Sequence, residues 1–199
     1  MDVRKMGLTS RVLAINVYMT QGILLLCGLV GLYWFYIRSG RGWQEIFTLA
    51  DWQSGVLYGT LVALFVIVAE VVLLVVLPRG MFDDGGVNEL LFRDLSGVQI
   101  ISLCLVVAVS EELLFRAVIQ PGLGIWWTSI LFTVVHVRYW KKWVMVAVVF
   151  GISLLFGALV VRTGAVWAAI WAHFLIDVAL GYFVKKGWFI HKMEENSGV

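Results

Sequence analysis

Three short motifs place ionisable side chains inside apolar stretches of this sequence. They read EELLFR at residues 111–116, FTVVH at 132–136 and HFLID at 173–177. An ionisable group at the centre of a membrane helix costs about 2.5–3.5 kcal/mol on insertion scales. Two of the chain's three histidines lie in these motifs. The side chains best suited to proton transfer are therefore concentrated where their insertion costs the most free energy.

The first motif gives its two adjacent carboxylates different surroundings. Glu112 and Arg116 are four residues apart with the glutamate on the N-terminal side, the favourable order for an ion pair within one helix. Glu111 points about 100° away on the same helix and has no such partner there. An unpaired carboxylate in an apolar pocket suits a general base. The alternative is a purely structural Glu–Arg pair near a span end, with Glu111 reaching water.

The other two motifs each place a histidine four residues from a potential partner. Phe132 and His136 share one helix face, and so do His173 and Asp177. A carboxylate in this position can orient an imidazole, or both groups can bind one metal or one substrate oxygen. Taken alone, His136 also fits a hydrogen-bonded interface residue, and His173 with Asp177 also fits a pair that only holds helices together.

Together, the three motifs predict one shared polar pocket. Two histidines and a carboxylate pair on different apolar helices need partners within the bundle. Such a group can activate water and stabilise a tetrahedral oxyanion. It can equally hold a divalent metal such as zinc.

The composition predicts that these motifs lie in a membrane. Hydrophobic residues make up 61% of the 199 residues and charged residues 14%, against roughly 45–50% and about 25% in soluble domains. The mean hydropathy is +0.93. These values exclude a soluble enzyme, a disordered tail and a secreted disulfide scaffold, and a net charge of +2 gives no reason to expect nucleic acid.

The fold class is therefore an all-α integral membrane bundle of about six transmembrane helices, each needing about 20 apolar residues. The predicted spans are Val12–Ile37, Gly55–Leu77, Gly97–Gln120, Leu123–Tyr139, Trp143–Val161 and Ala165–Val184. The third ends at Pro121-Gly122. An acidic loop at 80–96, with room for a short interfacial helix, separates the second span from the third.

Basic residues predict the orientation of these spans. With the N-terminus in the cytoplasm, the cytoplasmic side holds Arg4, Lys5, Arg11, Arg79, Arg93, Arg138, Lys141, Lys142, Lys185, Lys186 and Lys192. The opposite side holds only Arg38, Arg41, Arg116 and Arg162. By the positive-inside rule, both termini are expected in the cytoplasm.

The whole chain is expected to form a single membrane domain. Residues 12–96 contain generic spans and the acidic loop, 97–184 contain the three motifs, and 185–199 form a cytoplasmic tail. Glu70 belongs to no motif. It either pairs with Arg79 or another basic group near the membrane surface, or faces the pocket.

The three motifs, in this order and in apolar context, resemble the CPBP family over residues 97–184. That family contains the type II CAAX prenyl endopeptidases and the bacterial Abi proteins of bacteriocin processing and immunity. The resemblance implies an intramembrane endopeptidase in which Glu111 and His136 activate water. It places His173 and Asp177 at the oxyanion or at a metal, with Glu112 and Arg116 in support.

The resemblance also leaves the cofactor open. The reaction of this family is described both as metal-dependent and as a glutamate-type hydrolysis without metal, and Glu111, His136 and His173 are compatible with either. One position departs from the pattern, because the prenyl proteases usually carry asparagine where this chain has Asp177. An ionised carboxylate cannot donate a hydrogen bond to an oxyanion, so orienting His173 or binding a metal suits Asp177 better.

Three classes of function remain open at this stage. The first is hydrolysis of a membrane-associated peptide or protein, expected in a bacterial cell membrane, where a prenylated substrate is usually absent. The second is a non-catalytic immunity or scaffold protein that uses the pocket only for recognition. The third is an acyl-transfer enzyme, which needs a different nucleophile, or an ion-binding transporter, although the chain shows no inverted repeat.

Overall fold

A computed structural model describes residues 6–42 and 46–188, and this part of the chain is helical with no strand. The helices are α1 (Ser10–Leu32), α2 (Trp52–Val76), α3 (Val87–Arg93), α4 (Gly97–Glu112), α5 (Gln120–Val135), α6 (Trp143–Thr163) and α7 (Val166–Lys185). Two π-helical segments extend α1 and α4, at Tyr33–Ile37 and Leu113–Ile119. Arg4, Lys5, Lys192 and the predicted tail from residue 189 lie outside the described residues.

The described helices confirm an all-α membrane bundle. The runs that are long and apolar enough to cross a membrane are Ser10–Ile37, Trp52–Val76, Gly97–Val135, Trp143–Thr163 and Val166–Lys185. The third run contains 39 residues, far more than the roughly 20 that one crossing needs. It therefore contains both the predicted third and the predicted fourth span, which are separated by a kink.

That long run is broken at Gly124, not at the predicted Pro121-Gly122. Gly124 has φ +75° and ψ 173°, a backbone conformation that glycine adopts without the steric cost of a side chain. Pro121 lies just after the π-helical segment and inside the helical run, where the carbonyl of Ala117, four residues before it, accepts a hydrogen bond from the Tyr36 hydroxyl, since a proline has no N–H to donate. The helix therefore continues through the proline, and the glycine makes the kink.

Two loops meet at one end of the bundle. The Lys142 ammonium donates a hydrogen bond to the carbonyl of Gly80, and the Tyr139 hydroxyl interacts with Asn88 at the start of α3. The short helix expected within the acidic loop is α3. Residues 80–88 and 136–142 therefore lie on the same side, as the predicted orientation requires. Burial raises the pKa of Tyr139 above its usual value.

Helix α7 lies at the centre of the bundle and packs against α2, α3, α4 and α6, while α1 packs against α4 and the π-helical segment after it. Small buried residues allow the close approach of α2 to α7. Ala168 is fully buried on α7, and a Cβ added to Gly59 on α2 meets its carbonyl oxygen at 2.9 Å. This contact fixes the helix that carries His173 and Asp177.

Replacing Gly59 with leucine is expected to lower the free energy of unfolding by about 1–3 kcal/mol, because an inserted side chain has to push α2 away from the α7 backbone. Unfolding in mixed detergent micelles measures the change. Gly22→Leu is the matched control, since a Cβ at Gly22 meets nothing within 4 Å. Equal stability of the two variants contradicts this account of the α2–α7 packing.

Candidate active site

The two adjacent glutamates lie at the end of α4, where the helix changes type. Glu111 and Glu112 are both buried, and the π-helical segment Leu113–Ile119 begins at the next residue. Single π-helical turns within α-helices are rare and frequently occur at functional sites, because the wider turn changes the direction of the side chains that follow. The glutamate pair thus ends the α-helix, and Arg116 lies in the π-helical segment.

Glu112 is paired through both of its oxygens. Oε2 accepts a hydrogen bond from Arg116 Nε at 2.9 Å, which is the ion pair that the four-residue spacing predicts. Oε1 lies 2.9 Å from Nδ1 of His173 on α7. Glu112 and Arg116 side chains are fully buried, so this carboxylate joins α4 to α7.

Arg116 uses its remaining donors on helices α5 and α6. Nη1 donates to Gln120 Oε1 at 3.1 Å, and Nη2 donates to Ser153 Oγ at 2.7 Å. The Ser153 hydroxyl in turn donates to Ser129 Oγ at 3.1 Å. The planar guanidinium therefore holds three helices in fixed positions around Glu112.

His173 lies between two carboxylates. Its Nδ1 faces Glu112, and its Nε2 lies 3.4 Å from Asp177 Oδ2. A carboxylate only accepts hydrogen bonds, so both ring nitrogens donate only when the ring is an imidazolium. A protonated His173, together with Arg116, balances the charges of the two carboxylates. The ring also stacks on Phe156 with centroids 5.2 Å apart.

Glu111 has a different neighbour, on α1. Its Oε1 accepts a hydrogen bond from Gln21 Nε2 at 2.7 Å, and the Ser110 hydroxyl donates to Gln21 Oε1. Among the described residues, no hydrogen bond is made to the second oxygen, Oε2. The two glutamates therefore differ as predicted, one paired with cations and the other held only by an amide.

His136 caps the C-terminal end of α5. Its Nδ1 lies 2.6 Å from the carbonyl oxygen of Phe132, which makes Nδ1 the donor and leaves the lone pair on Nε2. The ring packs against Phe132 with centroids 4.6 Å apart, and Phe132 packs edge-on against Phe115 at 4.9 Å. An aromatic row thus joins His136 to the segment that follows the glutamate pair.

The structure joins some of the predicted site residues by hydrogen bonds or ion pairs and leaves others outside this network. Glu112, Arg116, His173 and Asp177 form one connected network, whereas Glu111 is bonded to Gln21. Neither histidine makes a hydrogen bond to Glu111 within the described chain. No group of three His, Cys, Asp or Glu side chains there is placed to hold a metal ion. Metal dependence remains a prediction.

Glu70 is on α2 and makes no hydrogen bond to this network within the described chain. It lines an apolar groove of about 300 Å³ between α2 and α6, beside Leu73 and Ile152. Its carboxylate is close enough to Asp177 for the two charges to interact. The side chain of its predicted partner Arg79 is outside what the structure describes.

The sequence analysis did not identify Gln21, Gln120 or Ser153, although all three are buried side chains that contact the motifs. A polar residue inside an apolar span was the signal that could have found them. Only the ionisable residues were treated as costly there, while an uncharged amide or hydroxyl also needs a partner in the membrane.

Comparison with known proteins identifies the family of this chain. Residues 93–179 match the family model of the Rce1-like type II CAAX prenyl endopeptidases. The chain is also 35% identical over 143 residues to an uncharacterized protein, YpbD, of Bacillus subtilis (strain 168), covering 72% of this chain and 75% of that protein. No solved structure matches significantly.

The matched segment begins at the end of α3 and ends just after Asp177, and so contains the whole network around Glu112. The chain belongs to the Rce1-like family, within the CPBP group. Membership places it among the membrane-embedded CAAX-type proteases, as its resemblance predicted.

Proposed function

We propose that this protein is an intramembrane endopeptidase that hydrolyses a peptide bond of a membrane-associated peptide or protein. A water molecule bound at Glu111 attacks the scissile carbonyl carbon while the carboxylate accepts its proton. The bond to the leaving nitrogen then breaks, and the nitrogen takes up a proton. The products are one new carboxylate and one new amine.

The observation that carries this proposal is the unequal pairing of the adjacent glutamates. Glu112 is occupied by Arg116 and His173, whereas Glu111 keeps one oxygen without a described partner. A buried carboxylate that is paired with cations is a weaker base, because the positive charges favour its ionised form. Among the described residues no cation pairs with Glu111, and it is therefore the better acceptor for the proton of water.

His136 and His173 receive different tasks in this proposal. Nε2 of His136 carries a lone pair, and it assists proton transfer to and from the water or the leaving nitrogen. His173, held between Glu112 and Asp177, supplies positive charge to the oxyanion of the tetrahedral intermediate. Asp177 orients His173, which is consistent with its inability to donate a hydrogen bond itself.

The proposed place of action is the cytoplasmic half of a bacterial cell membrane. His136 lies next to the loop that contains Lys142 and contacts residue 80, on the side that the distribution of basic residues assigns to the cytoplasm. The similar protein of Bacillus subtilis supports a bacterial context. The substrate then approaches from the bilayer or from its cytoplasmic surface.

Chelation should leave the cleavage intact. The residues around His173 do not fit a three-ligand zinc site, since its two ring nitrogens face Glu112 and Asp177, and the proposed steps therefore involve no metal. We expect unchanged turnover after dialysis against EDTA and 1,10-phenanthroline. Loss of turnover that added zinc restores is the contrary result.

The activity is tested with purified protein reconstituted in lipid and incubated with membranes from bacterial cells. New peptide termini are read by mass spectrometry, with His136→Ala as the paired sample. Termini that arise only with the wild-type protein support the proposal and name the substrate. A folded wild-type protein that produces none, yet still protects cells against a bacteriocin, favours the non-catalytic immunity function.

A further inference from the structure

The first helix contributes a side chain to the candidate active site, although it lies outside the segment that matches the family model. Gln21 is buried on α1, with 6% of its surface exposed. Its amide nitrogen donates to Glu111 Oε1 at 2.7 Å. The partners are 90 positions apart in sequence, so only the packing of α1 against α4 brings them together.

Hydrogen-bond chemistry determines which way this amide faces. An ionised carboxylate accepts hydrogen bonds only, so the NH₂ group of Gln21 must face Glu111. The amide oxygen then faces the Ser110 hydroxyl, which can donate to it. Ser110 is fully buried, so water does not compete for the amide oxygen. The order Ser110, Gln21, Glu111 is therefore a directed chain of donors and acceptors.

This chain fixes which oxygen of Glu111 is available. Oε1 is occupied by Gln21, and no described side chain donates to Oε2. A carboxylate held at one oxygen cannot rotate about its terminal bond without losing that hydrogen bond. Oε2 is thereby held in one orientation, as a base must be if it is to meet a water molecule in a reactive geometry.

We infer that Gln21 is a positioning residue for the proposed hydrolysis, fixing Glu111 so that Oε2 receives the proton of the attacking water. The inference rests on the proposed function, because it gives Gln21 a task only if Glu111 is the base. It also gives α1 a role in catalysis in addition to its role in packing.

The test is steady-state kinetics in lipid on the substrate identified by its new termini. Gln21→Met keeps the length of the side chain and removes the amide. We expect kcat to fall about 10- to 100-fold, the range for losing a charge-assisted hydrogen bond or the alignment of a reacting group, with KM nearly unchanged. Thr20→Val removes a hydroxyl from the exposed face of the same helix, and should keep wild-type kinetics.

Gln21→Met is expected to fold, since the Ser110 hydroxyl keeps the carbonyls of Val106 and Val107 as acceptors at 2.7 and 3.1 Å. Ser110→Ala provides a second, milder variant, because it removes only the group that orients the amide. We expect it to lower kcat roughly 2- to 10-fold, as the loss of one neutral hydrogen bond does.

A double-mutant cycle separates positioning from a structural effect. Glu111→Asp withdraws the carboxylate from Gln21 by one methylene group, so adding Gln21→Met to it should cause little further loss of kcat. Two results overturn the positioning role of Gln21 but leave the proposed function standing. One is an equal loss of kcat from Gln21→Met in the wild type and in Glu111→Asp. The other is full activity of Gln21→Met beside an inactive Glu111→Gln. Equal turnover by the wild type and Glu111→Gln overturns the proposed function as well.

Discussion

Replacing Glu111 with glutamine is expected to lower kcat by about 10²- to 10⁴-fold, the usual contribution of a positioned general base. Glutamine has the same shape and can still accept the hydrogen bond from Gln21, but its amide cannot take a proton from water. The protein should therefore stay folded. Turnover on the identified substrate and thermal unfolding, measured on the same preparation, give both quantities.

The neighbouring glutamate is the control for this prediction. Glu112→Gln leaves the proposed base in place and instead removes the charge that pairs with Arg116 and His173. We expect that variant to lose stability as well as activity, while Glu111→Gln loses activity alone. Wild-type turnover in Glu111→Gln assigns the base elsewhere and contradicts the mechanism.

The second large effect is expected at Arg116. Arg116→Met removes the cation from a fully buried ion pair and leaves Glu112, Gln120 and Ser153 without their shared donor. Breaking a buried pair by removing one partner typically costs about 3–5 kcal/mol. The free energy of unfolding, measured by denaturant titration in mixed micelles, should fall by about that amount.

Arg93 provides the matched comparison. It also forms an ion pair with an acidic residue, Asp94, but their side chains are 60% and 58% exposed. Exposed pairs contribute about 0–1 kcal/mol, so Arg93→Met should change the stability little. Similar losses in Arg116→Met and Arg93→Met are incompatible with a central structural role for the Glu112–Arg116 pair.

Contacts within one helix could be predicted from the sequence. The four-residue spacing of Glu112 and Arg116 predicted their ion pair, and the same spacing placed His173 beside Asp177. The apolar composition predicted the membrane spans in the same way. These inferences need only the helical repeat and the length of a crossing.

Contacts between helices could not be predicted in this way. A membrane helix is apolar on all sides, so its sequence does not show which face meets another helix. Nothing in the spacing says that His173 meets Glu112, or that Gln21 meets Glu111. The kink at Gly124 was missed because the proline was taken as the stronger signal, whereas the helix continues through Pro121.

The most direct test of the central claim is cleavage of the identified substrate in water enriched in ¹⁸O. Hydrolysis in which water attacks the peptide bond places one ¹⁸O atom in the new carboxyl terminus, and mass spectrometry of the fragments detects it. We predict labelled fragments with the wild-type protein and about 10²- to 10⁴-fold slower formation of them with Glu111→Gln. An unlabelled fragment joined to a lipid or another acceptor indicates acyl transfer, and an uncut substrate indicates a binding protein; either result contradicts the account.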